Sequence, residues 1–353
     1  MNILELNPFY LPYNGGIEKR IAALSSRLSG RHRITVVTSR LPGTEEEETV
    51  NGAKVLRLPS RFFSSYNPPF VTSSGIEETI EAIGPDIVDY HYRWSGSYNR
   101  AFFRSKSRKV MTFHNLYGEG TGVLRLLSIL NDASYVRKLK HVDHVLAVSD
   151  FVKKELEQKG LEPSMLTTCY NGIDMHNCRT SDERFALFIG RLVPTKGVAQ
   201  LARAALKAGV PLKVAGSGPM LDWLKKKERN GRLEVLGPVN EEEKEKLLST
   251  CTFMVVPSLH EAFGLVALEA MVHGKPVISS DTGGLPEVVG KGGTIVPARD
   301  VDAFAASMKT YWNDESLVSA TGAVARSQSE KFSWDSSVKT IESVYSSVLE
   351  SDR

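Results

Sequence analysis

Cysteine and long apolar runs are both scarce in this chain of 353 residues. Its three cysteines, Cys169, Cys178 and Cys251, form no Cys-x-x-Cys pair, which argues against both a disulfide framework and a zinc site. No apolar run reaches the ~18 residues that a membrane-spanning helix needs, and we find no signal-peptide pattern before the first strand-like run. We therefore expect a cytoplasmic protein.

Excess charge of one sign is also small, because the formal net charge is only +3. This value does not favour a nucleic-acid partner. The charge is unevenly distributed, however, since residues 93–140 contain ten Lys or Arg and two acidic residues. Two interpretations stay open: a solvated face that is balanced elsewhere, or a patch that meets an anionic membrane surface or acceptor.

Short buried strands alternate with amphipathic helices, starting with NILEL at 2–6. The alternation restarts at FALFIG, residues 185–190, after a polar stretch without periodicity. Length and pattern together predict two α/β domains, each a doubly wound parallel sheet, with a hinge near 171–183. The acidic run at 44–48 is predicted to be a loop tip. Ligands of such sheets bind beyond the carboxyl ends of the strands, so the strand-to-helix loops hold the candidate sites.

Two cations flank one of these loops in the second half. Arg191 follows the strand FALFIG, and Lys196 is placed at the start of the next helix. Two fixed cations beside a helix N-terminus suit a polyanion, most simply a diphosphate. Surface charge without a ligand is the alternative for either residue alone.

The stretch HEAFGLVALE, residues 260–269, brackets a predicted helix start with two carboxylates. We expect the helix to begin near Phe263, so that the amides of Phe263, Gly264 and Leu265 are available for phosphate or sugar oxygens. Glu261 can accept hydrogen bonds from sugar hydroxyls. Glu269 can accept them from a vicinal diol such as that of ribose. The alternative is a charge favoured by the helix dipole, plus a buried glutamate with a neutralising partner.

Three further loops are less specific. Gly15 and Gly16 precede the first helix, where the backbone can approach a phosphate or can simply turn. His114 ends the strand KVMTFHN, but a lone histidine is more often structural. The glycines of the loop SSDTGGLPEVV at 279–289 face a ligand or form a mere turn.

These features together resemble glycosyltransferase family 4 over nearly the whole chain. The resemblance rests on E-x7-E at 261–269 with GR….KG upstream, and more weakly on GG at 15–16, TFH at 112–114, VS at 148–149, NGID at 171–174, GG.PE at 283–287 and FSW at 332–334. The family implies a GT-B fold, with two Rossmann-like domains facing across a cleft. It also implies that the chain crosses back near its end. The implied domains are 1–177 plus 335–353 for the acceptor and 178–334 for the nucleotide sugar.

The resemblance also implies roles at matching positions. Arg191 and Lys196 would grip the donor diphosphate, and Glu261 would contact the transferred sugar beside the amides of 263–265. Glu269 would hold the ribose, and the backbone of Val239 would meet the base. From the first domain, Gly15 and Gly16 would approach the phosphates or sugar, and His114 would face the sugar.

The predicted reaction is transfer of a hexosyl group, with retention, from a UDP- or GDP-linked sugar to a glycan or lipid-linked acceptor. No metal and no cofactor are expected, because Arg191 and Lys196 supply what a divalent ion would. Three alternatives stay open: a sugar-nucleotide epimerase, a glycan phosphorylase and a non-catalytic binder. The basic segment and the aromatic loop at 61–70 suggest peripheral contact with the inner face of an anionic membrane.

Overall fold

The computed structural model describes residues 1–63, 69–91, 94–118, 122–176, 180–228 and 232–351, with the backbone alone at 122–125 and 127. The chain divides into two compact units. The first comprises Met1–Tyr117, Ile129–Gly172 and Trp334–Arg353, and the second comprises Gly118–Ser128 and Ile173–Ser333. Across these described ranges, no helix is both long and apolar enough to cross a membrane.

Among the described residues, ten strands belong to the first unit. They are β1 (Asn2–Leu6), β2 (Arg33–Ser39), β3 (Glu47–Val50), β4 (Ala53–Leu58), β5 (Ser60–Phe63), β6 (Phe70–Ser73), β7 (Ile87–Tyr90), β8 (Arg108–Phe113), β9 (His144–Ala147) and β10 (Leu166–Thr168). Eight of them form a sheet in the order β10-β9-β8-β7-β1-β2-β4-β3, and β5 and β6 form a separate hairpin. In the large sheet β3 pairs antiparallel with β4, while the other neighbours are parallel.

The first sheet reverses its direction of winding at β1, which lies between β2 and β7. The carboxyl ends of β1 and β7 therefore form a topological switch point, the usual ligand position in such sheets. Central strands carry continuous apolar runs, and Leu4, Val36 and Val88 are fully buried. This is the composition expected where helices cover both faces.

The helices of the first half are α1 (Gly16–Leu28), α2 (Ile76–Ile83), α3 (Gly96–Arg104), α4 (Gly122–Leu139) and α5 (Asp150–Gln158). Local capping sets some of their starts. Ser149 Oγ, for example, accepts a 3.2 Å hydrogen bond from the Val152 amide at the start of α5, which satisfies one unpaired donor of the first turn.

The second unit repeats the architecture with six strands, β11 (Ala186–Ile189), β12 (Leu212–Ala215), β13 (Leu233–Gly237), β14 (Phe253–Val256), β15 (Val277–Ser280) and β16 (Gly293–Val296). They form a parallel sheet in the order β13-β12-β11-β14-β15-β16. Winding reverses between β11 and β14. The loops after these two strands therefore lie at the second switch point.

The helices of this unit are α6 (Val198–Ala208), α7 (Leu221–Lys225), α8 (Glu241–Thr250), α9 (Leu265–Val272), α10 (Leu285–Val289), α11 (Val301–Asn313) and α12 (Glu315–Ser329). The last helix, α13 (Trp334–Glu350), belongs to the first unit. There Ile341 and Tyr345 share a buried apolar cluster with Ile21 and Leu24 of α1. The crossing at Trp334 thus places α13 where the resemblance implies it.

Several sequence-based bounds differ from the structure. Residues 47–48, predicted as part of a loop tip, belong to β3, because this edge strand pairs with β4. The helix predicted from Lys196 begins at Val198, after a short 3-10 turn at Pro194–Lys196. The β5–β6 hairpin, α3, α4 and α12 were not predicted. The first unit excludes Gly118–Ser128 and its second segment ends at Gly172, whereas the predicted first domain runs unbroken to residue 177. Residue 177, Cys178, Arg93 and residues 64–68 of the aromatic loop lie outside the described residues.

Candidate functional site

The loop after β11 is held close to the loop after β14. The Leu259 amide donates to the Thr195 carbonyl at 2.7 Å. Gly197 has φ of 68°, and a Cβ there would lie 2.0 Å from the Pro257 carbonyl oxygen. Only glycine permits this approach. The two loops at the second switch point are thereby brought together.

Lys196 and Glu261 meet across these loops. Lys196 Nζ donates to Glu261 Oε2 at 2.6 Å, and Ser258 Oγ donates to the same oxygen at 3.3 Å. The side chains are 20% and 16% exposed, respectively, so water reaches the pair. Two residues predicted separately from sequence thus form one ion pair. Arg191 is exposed on the same loop.

Helix α9 begins shortly after Glu261 in the sequence. The helix begins at Leu265, two residues later than predicted, with Gly264 as its N-cap at φ 104°. A Cβ on Gly264 would lie 2.6 Å from Leu285 Cδ2. Phe263 is buried, with its ring centroid 5.6 Å from that of Phe332. In the described ranges, no protein acceptor takes the amide hydrogens of Gly264 or Leu265, so both can bind an anionic oxygen.

The loop at 281–284 joins the same cluster. The Gly284 amide donates to the Glu261 carbonyl at 3.1 Å, and α10 begins directly afterwards. This contact holds the backbone that carries Glu261. It therefore gives the GG.PE segment a supporting role, which the sequence left undecided.

Glu269 is half-buried on α9 and has a partner that the sequence did not reveal. Lys244 Nζ on α8 donates to Glu269 Oε1 at 3.0 Å and to Glu241 Oε2 at 2.7 Å. Burial alone would lower the pKa of Lys244, but the carboxylates of Glu269 and Glu241 outweigh it and raise that pKa overall. The spacing Glu241-x-x-Lys244 places both residues on one helical face, which was the available signal.

Val239 lies between β13 and α8, just before the N-cap Asn240. Asn240 Oδ1 accepts from the Glu243 amide at 2.8 Å, and Glu243 Oε2 accepts from the Asn240 amide at 2.9 Å. This capping box fixes the backbone after Val239. No described residue hydrogen-bonds to the backbone of Val239.

In the first unit, Gly15 and Gly16 lie where predicted, at the start of α1. The nearby Glu18 side chain is buried, and burial raises its pKa to about 7. Asn7 Nδ2 donates to Glu18 Oε1 at 3.1 Å. A Cβ on Gly15 would lie 2.2 Å from Glu18 Oε2. Gly15 therefore makes room for a buried carboxyl group.

His114 follows β8 and ends a chain of three side chains. Its Nε2 lies 3.1 Å from His91 Nδ1, and His91 Nε2 lies 2.6 Å from Glu5 Oε2. Burial raises the pKa of Glu5 to about 8 and lowers that of His91 to about 4. Burial, with His91 and Arg20, also lowers the pKa of His114 well below its ordinary value. At pH 7 the chain is neutral. From these pKa shifts we infer that a protonated Glu5 donates to His91 Nε2 and that His91 Nδ1–H donates to His114 Nε2, which assigns the His114 proton to Nδ1.

The buried side chain of Arg20 hydrogen-bonds to the start of the NGID motif and to the two residues before it. Arg20 donates to the carbonyls of Cys169 and Tyr170 at 3.3 and 3.1 Å and to Asn171 Oδ1 at 2.9 Å. No local pattern indicates that Arg20, inside an amphipathic helix, is 1% exposed. Its contacts lie about 150 positions away along the chain.

Comparison with known proteins matches both halves of the chain. A sequence model described as Glycosyltransferase Family 4 matches residues 14–177, and one described as Glycosyl transferases group 1 matches residues 176–328. An uncharacterized glycosyltransferase of Methanocaldococcus jannaschii is 34% identical over an alignment of 370 positions, which covers 90% of each chain.

Two other similar proteins extend over nearly the full length. The O-antigen chain mannosyltransferase C of Escherichia coli is 24% identical over 374 residues, covering 99% of this chain and 100% of the relative. The solved structure of Anabaena Alr3699/HepE in complex with UDP-glucose superposes with a TM-score of 0.80 at 19% identity, covering 98% and 99% of the chains. The fold is therefore GT-B, with two Rossmann-like domains.

Proposed function

The chain belongs to glycosyltransferase family 4, and we propose that it transfers a hexosyl group with retention from a UDP- or GDP-linked sugar to a hydroxyl of a glycan or lipid-linked acceptor. The observation that carries this proposal is the Lys196–Glu261 pair, 2.6 Å apart at the second switch point. It combines a phosphate-binding cation with a hydroxyl-binding carboxylate. A UDP-glucose complex and a mannosyltransferase among the similar proteins make both donor classes worth testing.

In the proposed reaction, the bond between the anomeric carbon and the diphosphate oxygen breaks, and the diphosphate gains negative charge. Lys196, Arg191 and the amides of Gly264 and Leu265 stabilise that charge as it develops, so they lower the barrier rather than only tightening binding. The acceptor oxygen bonds to the anomeric carbon on the same face. Its proton passes to the leaving phosphate oxygen.

The remaining predicted residues position the donor in this proposal. Glu261 accepts from the hydroxyls of the transferred sugar, and Glu269 accepts from the ribose diol. Val239 offers its unpaired backbone groups to the base. From the first unit, His114 faces the sugar, while Gly15 and Gly16 let the backbone approach the phosphates. The His114 imidazole is neutral, so it acts as a hydrogen-bond partner and not as a fixed charge.

We also propose that the reaction needs no divalent metal and no cofactor, because Lys196 and Arg191 neutralise the diphosphate. Turnover should therefore persist after treatment with a chelator such as EDTA. Loss of activity on chelation, restored by Mg2+ or Mn2+, would contradict this part of the proposal.

A thermal-shift panel of nucleotide sugars identifies the donor, because the cognate ligand raises the melting temperature by mass action. The donor is then incubated with and without an acceptor pool, and NMR follows the anomeric proton. Product formed only with acceptor, with the donor's anomeric configuration, supports the proposal. Donor converted without acceptor indicates an epimerase, and inversion excludes retention. Dependence on free phosphate indicates a phosphorylase, and binding without turnover indicates a binder.

Peripheral membrane contact is a further part of the proposal. Phe63 and Phe70 pair across the β5–β6 hairpin, and each is 52% exposed. The neighbouring basic segment is partly neutralised, since Arg100 and Arg104 pair with Glu77 and Arg108 pairs with Asp143. We therefore expect the aromatic pair to matter more than the net charge. The double variant Phe63→Ser/Phe70→Ser should sediment less with anionic vesicles, and no sedimentation of the native chain would refute the contact.

A further inference from the structure

A cluster of two histidines and one glutamate lies in the second unit. His176, Glu245 and His273 bring three potential metal-binding atoms within 4.8 Å of one another. Glu245 lies on α8, His273 is the C-cap of α9, and His176 follows the point at which the chain enters this unit. The proposed reaction uses none of the three.

The distances in this cluster suit a small divalent ion. His273 Nε2 lies 3.0 Å and His176 Nε2 lies 3.6 Å from the same oxygen, Glu245 Oε2. Ligands about 2.0–2.2 Å from a tetrahedral zinc ion lie roughly 3.3 Å from one another. The two distances to Glu245 Oε2 bracket that value, and the distance between the two histidine nitrogens is at most 4.8 Å.

The second ring nitrogen of His176 fixes which atom faces the glutamate. His176 Nδ1 lies 3.2 Å from the Asp174 carbonyl oxygen, and a carbonyl can only accept, so Nδ1 carries the proton. In the neutral ring Nε2 then presents a lone pair towards Glu245. An imidazole held by Nδ1–H to a backbone carbonyl is the usual orientation of a metal-binding histidine.

The lone pair on His176 Nε2 and the Glu245 carboxylate oxygen, 3.6 Å apart, repel each other unless a cation lies between them. A proton on His176 Nε2 is one solution, giving an ordinary ion pair. His273 is buried, and without a metal its Nε2–H can donate to Glu245 Oε2 at 3.0 Å, so a bound metal ion would take the place of that proton. The neutral imidazole is the form that binds metals.

We propose that His176 Nε2, Glu245 Oε2 and His273 Nε2 bind one Zn2+ ion, with water in the fourth position. Imidazole and carboxylate ligands in a tetrahedral set favour zinc over the harder cations Mg2+ and Ca2+. The buried trio Glu5, Asp89 and His91 is a poorer candidate. Its Glu5 and His91 are 1% exposed and already hydrogen-bond to each other.

The ion has a structural role in this proposal. Glu245 and His273 connect α8 to the end of α9. The same two helices are also connected by Lys244, which directly precedes Glu245, and by Glu269, which lies one turn before His273. Arg326 also donates to the His176 carbonyl at 2.9 Å, which holds the third ligand in place. Bound zinc would therefore connect the segment that carries His176 to α8 and α9, the two helices that carry the Lys244–Glu269 pair.

The test is a calorimetric titration of the untagged, chelator-treated full chain with ZnCl2, followed by Co2+ absorption spectroscopy. We expect one Zn2+ per chain and a tetrahedral Co2+ spectrum. His176→Gln and His273→Gln should each weaken Zn2+ binding by at least about tenfold. His32→Gln is the matched control, because His32 pairs with Glu342 at 2.8 Å but has no second imidazole in that pair.

Because His273 is buried, the exposed His176 supplies the decisive variant, with circular dichroism confirming its fold. Absence of one-to-one zinc binding by the native chain would overturn the proposal. Equal zinc affinity in the native chain and His176→Gln would overturn it as well, as would an equal loss in His32→Gln.

Discussion

The two units differ in the charge of the side chains at the switch points of their sheets. At the second switch point, Lys196 and Glu261 form a charged pair that water still reaches. At the first, Glu5, His91 and His114 form a neutral chain, because burial raises the pKa of the acid and lowers those of the bases. Charge is retained where solvent, a charged ligand or several hydrogen-bond donors compensate it, as Thr112 and Tyr345 do at Asp89, and is removed by proton rearrangement elsewhere.

This contrast implies a division of roles. In the proposed reaction, the second unit supplies fixed charge for the developing anion. The first supplies directed but uncharged hydrogen bonds, which can orient a sugar without binding any anion strongly. The following predictions test this contrast in order of decreasing effect.

The largest effect is expected for Lys196→Ala. By analogy with loss of one preorganised oxyanion donor, kcat should fall about 10²–10³-fold, or about 3 kcal/mol. Lys207→Ala is the control, since Lys207 forms an exposed ion pair with Asp302 at 2.6 Å and should leave turnover unchanged. A folded Lys196→Ala enzyme with near-native kcat would refute the phosphate assignment.

Tyr345→Phe should cost more stability than the matched change Tyr311→Phe. Tyr345 donates to Asp89 Oδ2 at 2.7 Å, whereas Tyr311 meets the Thr294 hydroxyl at 3.2 Å. Burial raises the pKa of Asp89 only to about 6, so this acceptor is ionised at pH 7.5. We expect the free energy of unfolding to fall by about 2 kcal/mol in Tyr345→Phe and by about 1 kcal/mol in Tyr311→Phe, because hydrogen bonds to charged groups are the stronger ones. Urea unfolding at pH 7.5 measures both, and equal losses would show that Asp89 is protonated.

Glu269→Gln should raise the donor KM about tenfold and change kcat less, because a ribose contact is the same in the ground and transition states. Glu241→Gln removes the other carboxylate bound to Lys244 but touches no ribose in the proposal. Its KM should stay near the native value. Similar KM increases in both variants would mean that the effect comes from Lys244 and not from a diol contact.

Glu5→Gln should reduce the pH dependence of stability. Burial raises the Glu5 pKa from 4.5 to about 8, so the folded chain keeps a proton that the unfolded chain loses. Stability therefore falls as pH rises through that interval. The lowered pKa of His91 opposes this fall below about pH 6.5, which leaves pH 6.5–8 as the informative window.

In that window we expect the native free energy of unfolding to fall by on the order of 1 kcal/mol per pH unit. Glu18, with a pKa of about 7, contributes in the same direction and is unchanged in the variant. The exposed Glu47, paired with Lys54, supplies the control Glu47→Gln. Identical slopes in all three chains would show that Glu5 ionises normally.

The charged site was largely predictable from sequence, and the reason is local. Arg191 and Lys196 follow one strand, Glu261 follows the neighbouring strand, and parallel strands end at one edge of a sheet. Motif spacing therefore predicted both loops as ligand-binding loops, but it did not predict that Lys196 and Glu261 pair with each other. The start of α9 was placed two residues too early, because Phe263 is apolar enough to continue the helical pattern but packs against Phe332 instead.

The neutral chain could not be predicted in the same way. Glu5 and His91 are separated by 86 positions, and His91 and His114 by 23. No local pattern distinguishes a glutamate inside β1 from an exposed one. Lys244 was missed for a similar reason, since the acidic run around it is typical of a solvated helix face. Only the packing of α8 against α9 brings Lys244 to Glu269.

The resting ion pair has a consequence for selectivity. In the proposed function, Lys196 meets an incoming anion with its charge already cancelled, so a free phosphate can take the lysine only by leaving the Glu261 carboxylate without its cation and next to a like charge. A sugar-linked diphosphate avoids this penalty, because its phosphates replace Glu261 at the lysine while its hydroxyls replace the lysine at Glu261. The pair therefore discriminates for the conjugate and against either fragment alone.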